Sequence, residues 1–359
     1  MIEHLRKNID ASLASFLKGV KKDYKLHLAS PLLFESIREF TLREGKRLRP
    51  LLLILTYKAY APHKKIYREF YNAATCMEFL HNFMLIHDDI IDCSDLRRGK
   101  PTLHRVLEKT TASKNPSKLG IDLGIIAGDI VYALAIDAFL SIKEPLDRKE
   151  RALKYFIQTA AFTAMGEFID TVYGVKRIDQ VSEKDVYLNY TLKTARYTFD
   201  CPMVTGAILA GAPERDIKKI SEFGIRIGQA FQIQDDIIGI FETEENIGKS
   251  ILSDLAEGKK TILTVHAYRT LKNKKRATFL KVFNKKTKTL ADLEKFKSVL
   301  VEAGSLNYAL KAVKFRLSKA QKVLSGLKMN REYKNLIEQS LLKLFAHSQR
   351  IVDLYQPHG

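Results

Sequence analysis

Along most of the chain, apolar side chains return every three or four residues with polar ones between them. In "FYNAATCMEFLHNFMLIHDDIID" (residues 70–92), Ala74, Met77, Leu80 or His81, Met84 and Asp88 fall on one stripe, which runs from apolar into acid. "FGIRIGQAFQIQDDIIGIF" (residues 223–241) behaves in the same way. No run of strands bounded by tight hairpin turns is visible, and glycine and proline are sparse. Breaks fall near residues 109–120, 143–147, 210–216 and 242–260, and none is long and low in complexity, so they read as loops between helices. The pattern predicts an all-α protein: a single large bundle of about ten or more helices around a central cavity, with residues 1–359 as one domain.

Composition narrows this only slightly. An apolar fraction of 46% with 28% charged residues describes a chain that builds a core. Cys76, Cys93 and Cys201 form no Cys-x-x-Cys pair, which argues against a disulfide framework and for a reducing, cytoplasmic setting. The N-terminus has no signal-peptide core, and the most apolar stretch, "LGIIAGDIVYALAIDAFL", carries Asp129 and Asp137, so it reads as a buried helix and not a transmembrane segment. A net charge of +19 asks for anionic company or strong solvation. The basic runs near residues 268–289 and 311–324 lack interleaved aromatics, which disfavours nucleic acid and makes a solvated face the plainest account.

The chemistry lies in acid set against base. Asp88 and Asp92 share a helix face with Asp89 beside them, and carboxylates this close repel one another unless a cation intervenes. All-oxygen donors favour a hard ion such as Mg2+, which shares its shell with water and phosphate, whereas His81 and His87 fit hydrogen-bonding roles better than ligation. Two arginines follow in "DLRRGKPTLH", and "GKRLRP" places Lys46, Arg47 and Arg49 within five positions. Metal on one side and guanidinium forks on the other suit a diphosphate. A second acidic stretch, "QIQDDIIGI", repeats Asp-Asp-Ile-Ile with Gly239 at the place of Asp92, and is expected to face the first across the cavity.

Taken together, "GKRLRP", "HDDIIDCSDLRRGKPTLH", "AGDIVYALA", "GEFID", "TLKTARYTF", "AFQIQDDIIGIF" and "GKSILSDLAEGKKT" resemble, in content and order, the motifs of the trans-isoprenyl diphosphate synthases, or polyprenyl synthetases. The resemblance spans about residues 30–330 and is closest to archaeal-type geranylgeranyl diphosphate synthases. It implies that Asp88, Asp89 and Asp92, with Asp235 and Asp236, hold a trio of Mg2+ ions, Mn2+ being a substitute. It implies that Arg97 grips the allylic diphosphate and that Lys46, Arg49, His81 and Arg98 receive isopentenyl diphosphate. Lys193, Thr194 and Gln232 then flank the breaking bond, and Lys249 and Lys259 close over the leaving group. Asp88, Asp92, Lys193, Thr194, Gln232 and Asp235 are the implied catalytic set, and a homodimer is the implied assembly.

The resemblance also implies that the growing chain runs along the helix before Asp88. Phe83, five positions upstream, would floor the pocket beside the narrower Met84. One aromatic there points to a C20 product, geranylgeranyl diphosphate, with C15 farnesyl diphosphate as the alternative. Gly239, Glu167 and Glu44 depart from the family pattern and bear on efficiency more than on reaction class. A terpene cyclase would not need Lys46, Arg49 and Arg98, a silent regulatory subunit should lose carboxylates from the first motif, and a nucleic-acid scaffold would leave the paired acidic and basic motifs unexplained.

Overall fold

The computed structural model describes residues 1–97, 99–109, 113–242 and 253–345. It is all-α, in keeping with the periodicity. The helices are α1 (Ile2–Asp23), α2 (Leu26–Ala29), α3 (Pro31–Leu42), α4 (Leu48–Tyr60), α5 (Arg68–Ala74), α6 (Cys76–Ile91), α7 (Leu103–Glu108), α8 (Pro116–Leu140) and α9 (Leu146–Val175). They continue with α10 (Glu183–Asn189), a π-helical segment (Tyr190–Asp200), α11 (Cys201–Ala210), α12 (Glu214–Phe241), α13 (Ser253–Ala256), α14 (Ile262–Thr270), α15 (Asn273–Phe283), α16 (Leu290–Glu302), α17 (Ser305–Ser325) and α18 (Arg331–Leu342). Contacts divide the chain into two compact units, one of residues 1–157, 202–217 and 329–336, the other of residues 158–201, 218–328 and 337–359.

In the first unit, α4 is buried along almost its whole length, from Pro50 to Ala59. The inner face of α1, with Ile9 and Leu13, and Phe79 and Leu80 of α6 are buried as well. α8 is the main partner of α6. Gly128 leaves room for the His87 ring against α8: a Cβ there would lie 2.3 Å from Cε1 of His87, so a larger residue would force that ring to move. α8 starts within the expected loop at 109–120, because the Asn115 side chain accepts from the Lys118 N–H at 3.2 Å and Pro116 stands in the first turn.

Two features differ from the sequence expectation. α8 is not wholly buried: Ile125, Ile126 and Leu140 are exposed on it. Among the described residues it is also the one helix long and apolar enough to cross a membrane by length and composition. In addition, β1 (Leu96–Arg97) and β2 (Lys100–Pro101) form a short antiparallel pair just after the first acidic motif. Two residues per strand are too few to show alternation, so the pair leaves no sequence signal. It is pinned from outside: Arg43, the C-cap of α3, donates to the Pro101 carbonyl at 2.9 Å while its guanidinium forks onto Glu39.

In the second unit, Phe279, Phe283 and Phe296 stack into an aromatic core. The π-helical segment runs close to two glycines, with a Cβ at Gly166 falling 2.4 Å from the Lys193 nitrogen and one at Gly228 falling 2.3 Å from the Ala195 Cα. α9 and α12 therefore meet that segment backbone to backbone, a fit that only glycine permits.

Candidate active site

The first acidic motif ends α6. Asp92 is its C-cap, with its N–H on the Asp88 carbonyl at 2.9 Å, so Asp88 and Asp92 share a face as the i, i+4 spacing requires. Carboxylates at a helix C-terminus add to the negative end of the helix dipole, which raises the need for a cation there. The three aspartates are not equivalent. Asp88 and Asp92 are part-exposed, whereas Asp89 is entirely buried.

Arg97, delivered by β1, forks back over this turn. It donates Nε to Asp89 Oδ1 at 2.7 Å and a terminal nitrogen to Asp88 Oδ2 at 3.0 Å, and also pairs with Asp89 Oδ1 through that nitrogen. Burial pushes the Asp89 carboxyl up to about 6, against the pull of Arg97. Asp89 Oδ2 is buried with no hydrogen-bond partner among the described residues. Among those residues, no three His, Cys, Asp or Glu side chains form a ready-made metal shell. An all-carboxylate turn of this kind suits a Mg2+ ion that takes one or two protein oxygens and completes its shell from phosphate and water.

"GKRLRP" divides by role. Arg47, with φ at +47°, is buried and wholly engaged, donating to Asp10 at 2.7 Å, to Glu78 at 2.9 Å and to the Arg43 carbonyl at 2.8 Å. It ties α1, α3 and α6 to the start of α4. Lys46 is exposed, Arg49 is half-buried on α4, and His81 is buried on α6 in the same unit. Phe83 and Met84 are half-buried one turn before the aspartates. The Phe83 ring lies 4.9 Å from Tyr132 of α8 and 4.8 Å, edge-on, from His87.

The remaining candidates lie in the second unit. Lys193 pairs with Asp170 at 2.7 Å and Glu167 at 2.9 Å. Thr194 Oγ1 donates to Gln232 Oε1 at 2.5 Å, and Gln232 Nε2 donates to Asp236 Oδ1 at 3.1 Å. Asp236 Oδ2 accepts from the Tyr190 hydroxyl, whose oxygen in turn accepts the Ile262 N–H at 3.0 Å. Thr194, Gln232 and Asp236 thus belong to one network, while Asp235 next to it is exposed. Lys259, paired with Glu257 at 2.8 Å, lines a cavity together with Asp236 and Thr261. Arg98 and Lys249 lie outside the described residues.

With this geometry in hand, comparison with known proteins gives a direct answer, since the polyprenyl synthetase profile matches residues 30–300. The chain belongs to the polyprenyl synthetase family. This synthetase is 32% identical over 308 residues to a short chain isoprenyl diphosphate synthase of Methanocaldococcus jannaschii, covering 86% of this chain and 84% of that one. It is 33% identical to a geranylgeranyl diphosphate synthase of Saccharolobus solfataricus, covering 74% and 75%. Among solved structures, geranylgeranyl pyrophosphate synthetase from Pyrococcus horikoshii superposes with a TM-score of 0.77 at 27% identity, covering 98% and 97%. Geranylgeranyl pyrophosphate synthase from Corynebacterium glutamicum, complexed with isoprenyl diphosphate and magnesium, reaches a TM-score of 0.88 over 96% and 99% at 24% identity, a likeness of fold.

Sequence reasoning missed Tyr190. It is a buried phenol which its own burial and Asp236 push well above the ordinary value, so it keeps its proton and donates it to the second motif of the synthetase. Its place three residues before Lys193 was the available signal, but a tyrosine on an otherwise apolar stripe reads as core. The anchoring role of Arg47 was equally hidden, because Asp10 and Glu78 are remote in sequence.

Proposed function

We propose that this prenyltransferase condenses isopentenyl diphosphate with an allylic diphosphate, dimethylallyl, geranyl or farnesyl, to give geranylgeranyl diphosphate and release diphosphate. The observation that carries the reading is the acidic turn ending α6, where Asp88 and Asp92 stay part-exposed while buried Asp89 holds Arg97. In this reading Asp88, Asp92 and Asp235 would hold Mg2+, which when bound would supply Lewis-acid stabilisation of the departing diphosphate. Arg97 orients the allylic diphosphate, while Lys46, Arg49 and His81 orient that of isopentenyl diphosphate. Lys193, Thr194 and Gln232 stand beside the bond that ionises, and Lys259 meets the leaving group. These groups act most on charge that develops as the C–O bond breaks, so they favour the transition state over the ground state.

Phe83, backed by Tyr132, supports the C20 length, since an aromatic floor one turn before the aspartates stops the growing chain. The names of the Saccharolobus solfataricus and Pyrococcus horikoshii relatives point the same way. Both units are read as one catalytic domain, supported by a family match that runs through residues of each. Exposed Ile125 and Ile126 on α8 support a homodimer that covers them. The unpaired, exposed thiol of Cys93 suits a reducing cytoplasm.

The test is incubation of the purified chain with Mg2+, isopentenyl diphosphate and each allylic diphosphate, followed by chromatography of the products. A C20 product, absent in Asp88→Ala, is expected. Binding of both diphosphates without C–C bond formation would replace this reading with that of a silent subunit.

A further inference from the structure

α17 has two faces of opposite character. Leu306, Ala309, Leu310, Val313, Ala320 and Leu324 are buried, and the helix packs on α14 and α16. Its outer face carries Lys311, Lys314, Phe315, Lys319 and Lys322, all exposed. At about 100° per residue these five fall within an arc of about 140°. The helix contains no aspartate or glutamate. Three lysines elsewhere in the basic C-terminal region do have acidic partners: Lys275 with Glu302, Lys285 with Asp292 and Lys297 with Glu294. The four lysines of α17 have no ion pair among the described residues. One edge of the face continues into a groove shared with α12, where Lys219 and Arg226 join Lys319 and Lys322, and the one carboxylate, Glu222, is tied to Arg226 at 2.7 Å.

From this arrangement we infer that the outer face of α17 docks on an anionic lipid surface. Charge complementarity names the partner's sign, since unpaired lysines on one helix face are drawn to an anionic leaflet. Phe315 selects lipid among polyanions. It stands 57% exposed among the lysines, with Lys319 Nζ 5.4 Å from its ring centre, and its apolar edge gains by entering the headgroup boundary. A nucleic acid would want a row of aromatics for stacking, and this face has one. The groove at the edge has the cations to take a lipid phosphate.

The experiment is flotation of the full-length protein with vesicles of phosphatidylglycerol and phosphatidylcholine in equal parts, against vesicles of phosphatidylcholine alone. Binding to the anionic vesicles only, and its loss at high salt, are expected. Replacing Lys311, Lys314, Lys319 and Lys322 together by glutamine should weaken it by roughly five-fold per lysine. The all-arginine counterpart should keep it, and Phe315→Ser should weaken it a few-fold. Because none of these five residues is among the groups assigned to condensation, prenyltransferase activity serves as a fold control, and the two readings fail separately. Equal binding to neutral vesicles, undiminished binding by the glutamine variant, or retention of duplex DNA in place of vesicles would each overturn the inference.

Discussion

Asp89→Asn should make the protein more stable and a poorer catalyst. Asp89 is fully buried and sits about as high as 6 instead of the ordinary 3.8, although Arg97 donates to it twice. Desolvation outweighs the ion pair, so keeping Asp89 ionised at neutral pH costs the folded state free energy. The difference between 3.8 and about 6, at about 1.36 kcal/mol per pH unit, amounts to about 3 kcal/mol. Asparagine keeps the shape and one acceptor for Arg97, which also retains Asp88 at 3.0 Å, so a net gain on the order of 1–3 kcal/mol is expected.

The sign with pH follows from a folded value raised above the unfolded one. The stability tied to Asp89 is fully present below about pH 3.8 and is lost as pH rises through about 6. Thermal or denaturant midpoints of the metal-free protein, measured for both chains from about pH 4 to about pH 7, should therefore diverge upward in favour of asparagine. Condensation should fall, because an uncharged partner aligns Arg97 less firmly. Parallel pH curves, or an asparagine variant less stable at neutral pH, would refute the argument.

Phe83→Ala should lengthen the product, seen by chromatography, and an unchanged product would confine Phe83 to packing against Tyr132 and His87. Tyr190→Phe leaves Asp236 and the Ile262 N–H each short of a partner, at a cost of about 1–3 kcal/mol. It should also shift the Mg2+ concentration for half-maximal rate more than the KM for isopentenyl diphosphate, and an unchanged Mg2+ profile would confine Tyr190 to packing. Gly239 is buried, so in the metal-free protein Gly239→Asp, which puts a carboxylate there, should cost about 3–5 kcal/mol. A thermal midpoint equal to that of the unaltered protein would count against this.

The sequence by itself determined what depends on neighbours along the chain. Three-to-four-residue periodicity gives helices, and i, i+4 spacing puts Asp88 and Asp92 on one face whatever surrounds them, because both follow from helix geometry. Motif order likewise carried the family. Tertiary structure decided how chemically similar residues divide the work. Arg47 and Arg49 look alike in "GKRLRP", yet Arg47 is spent on Asp10 and Glu78. Asp89 is adjacent to Asp88 but buried, and its place against Arg97 depends on a hairpin too short to announce itself. Tyr190 meets Asp236 and Ile262 only after residues far apart in the chain pack together. Desolvation and hydrogen bonding depend on what lies within a few ångströms in space, and local sequence does not hold that information.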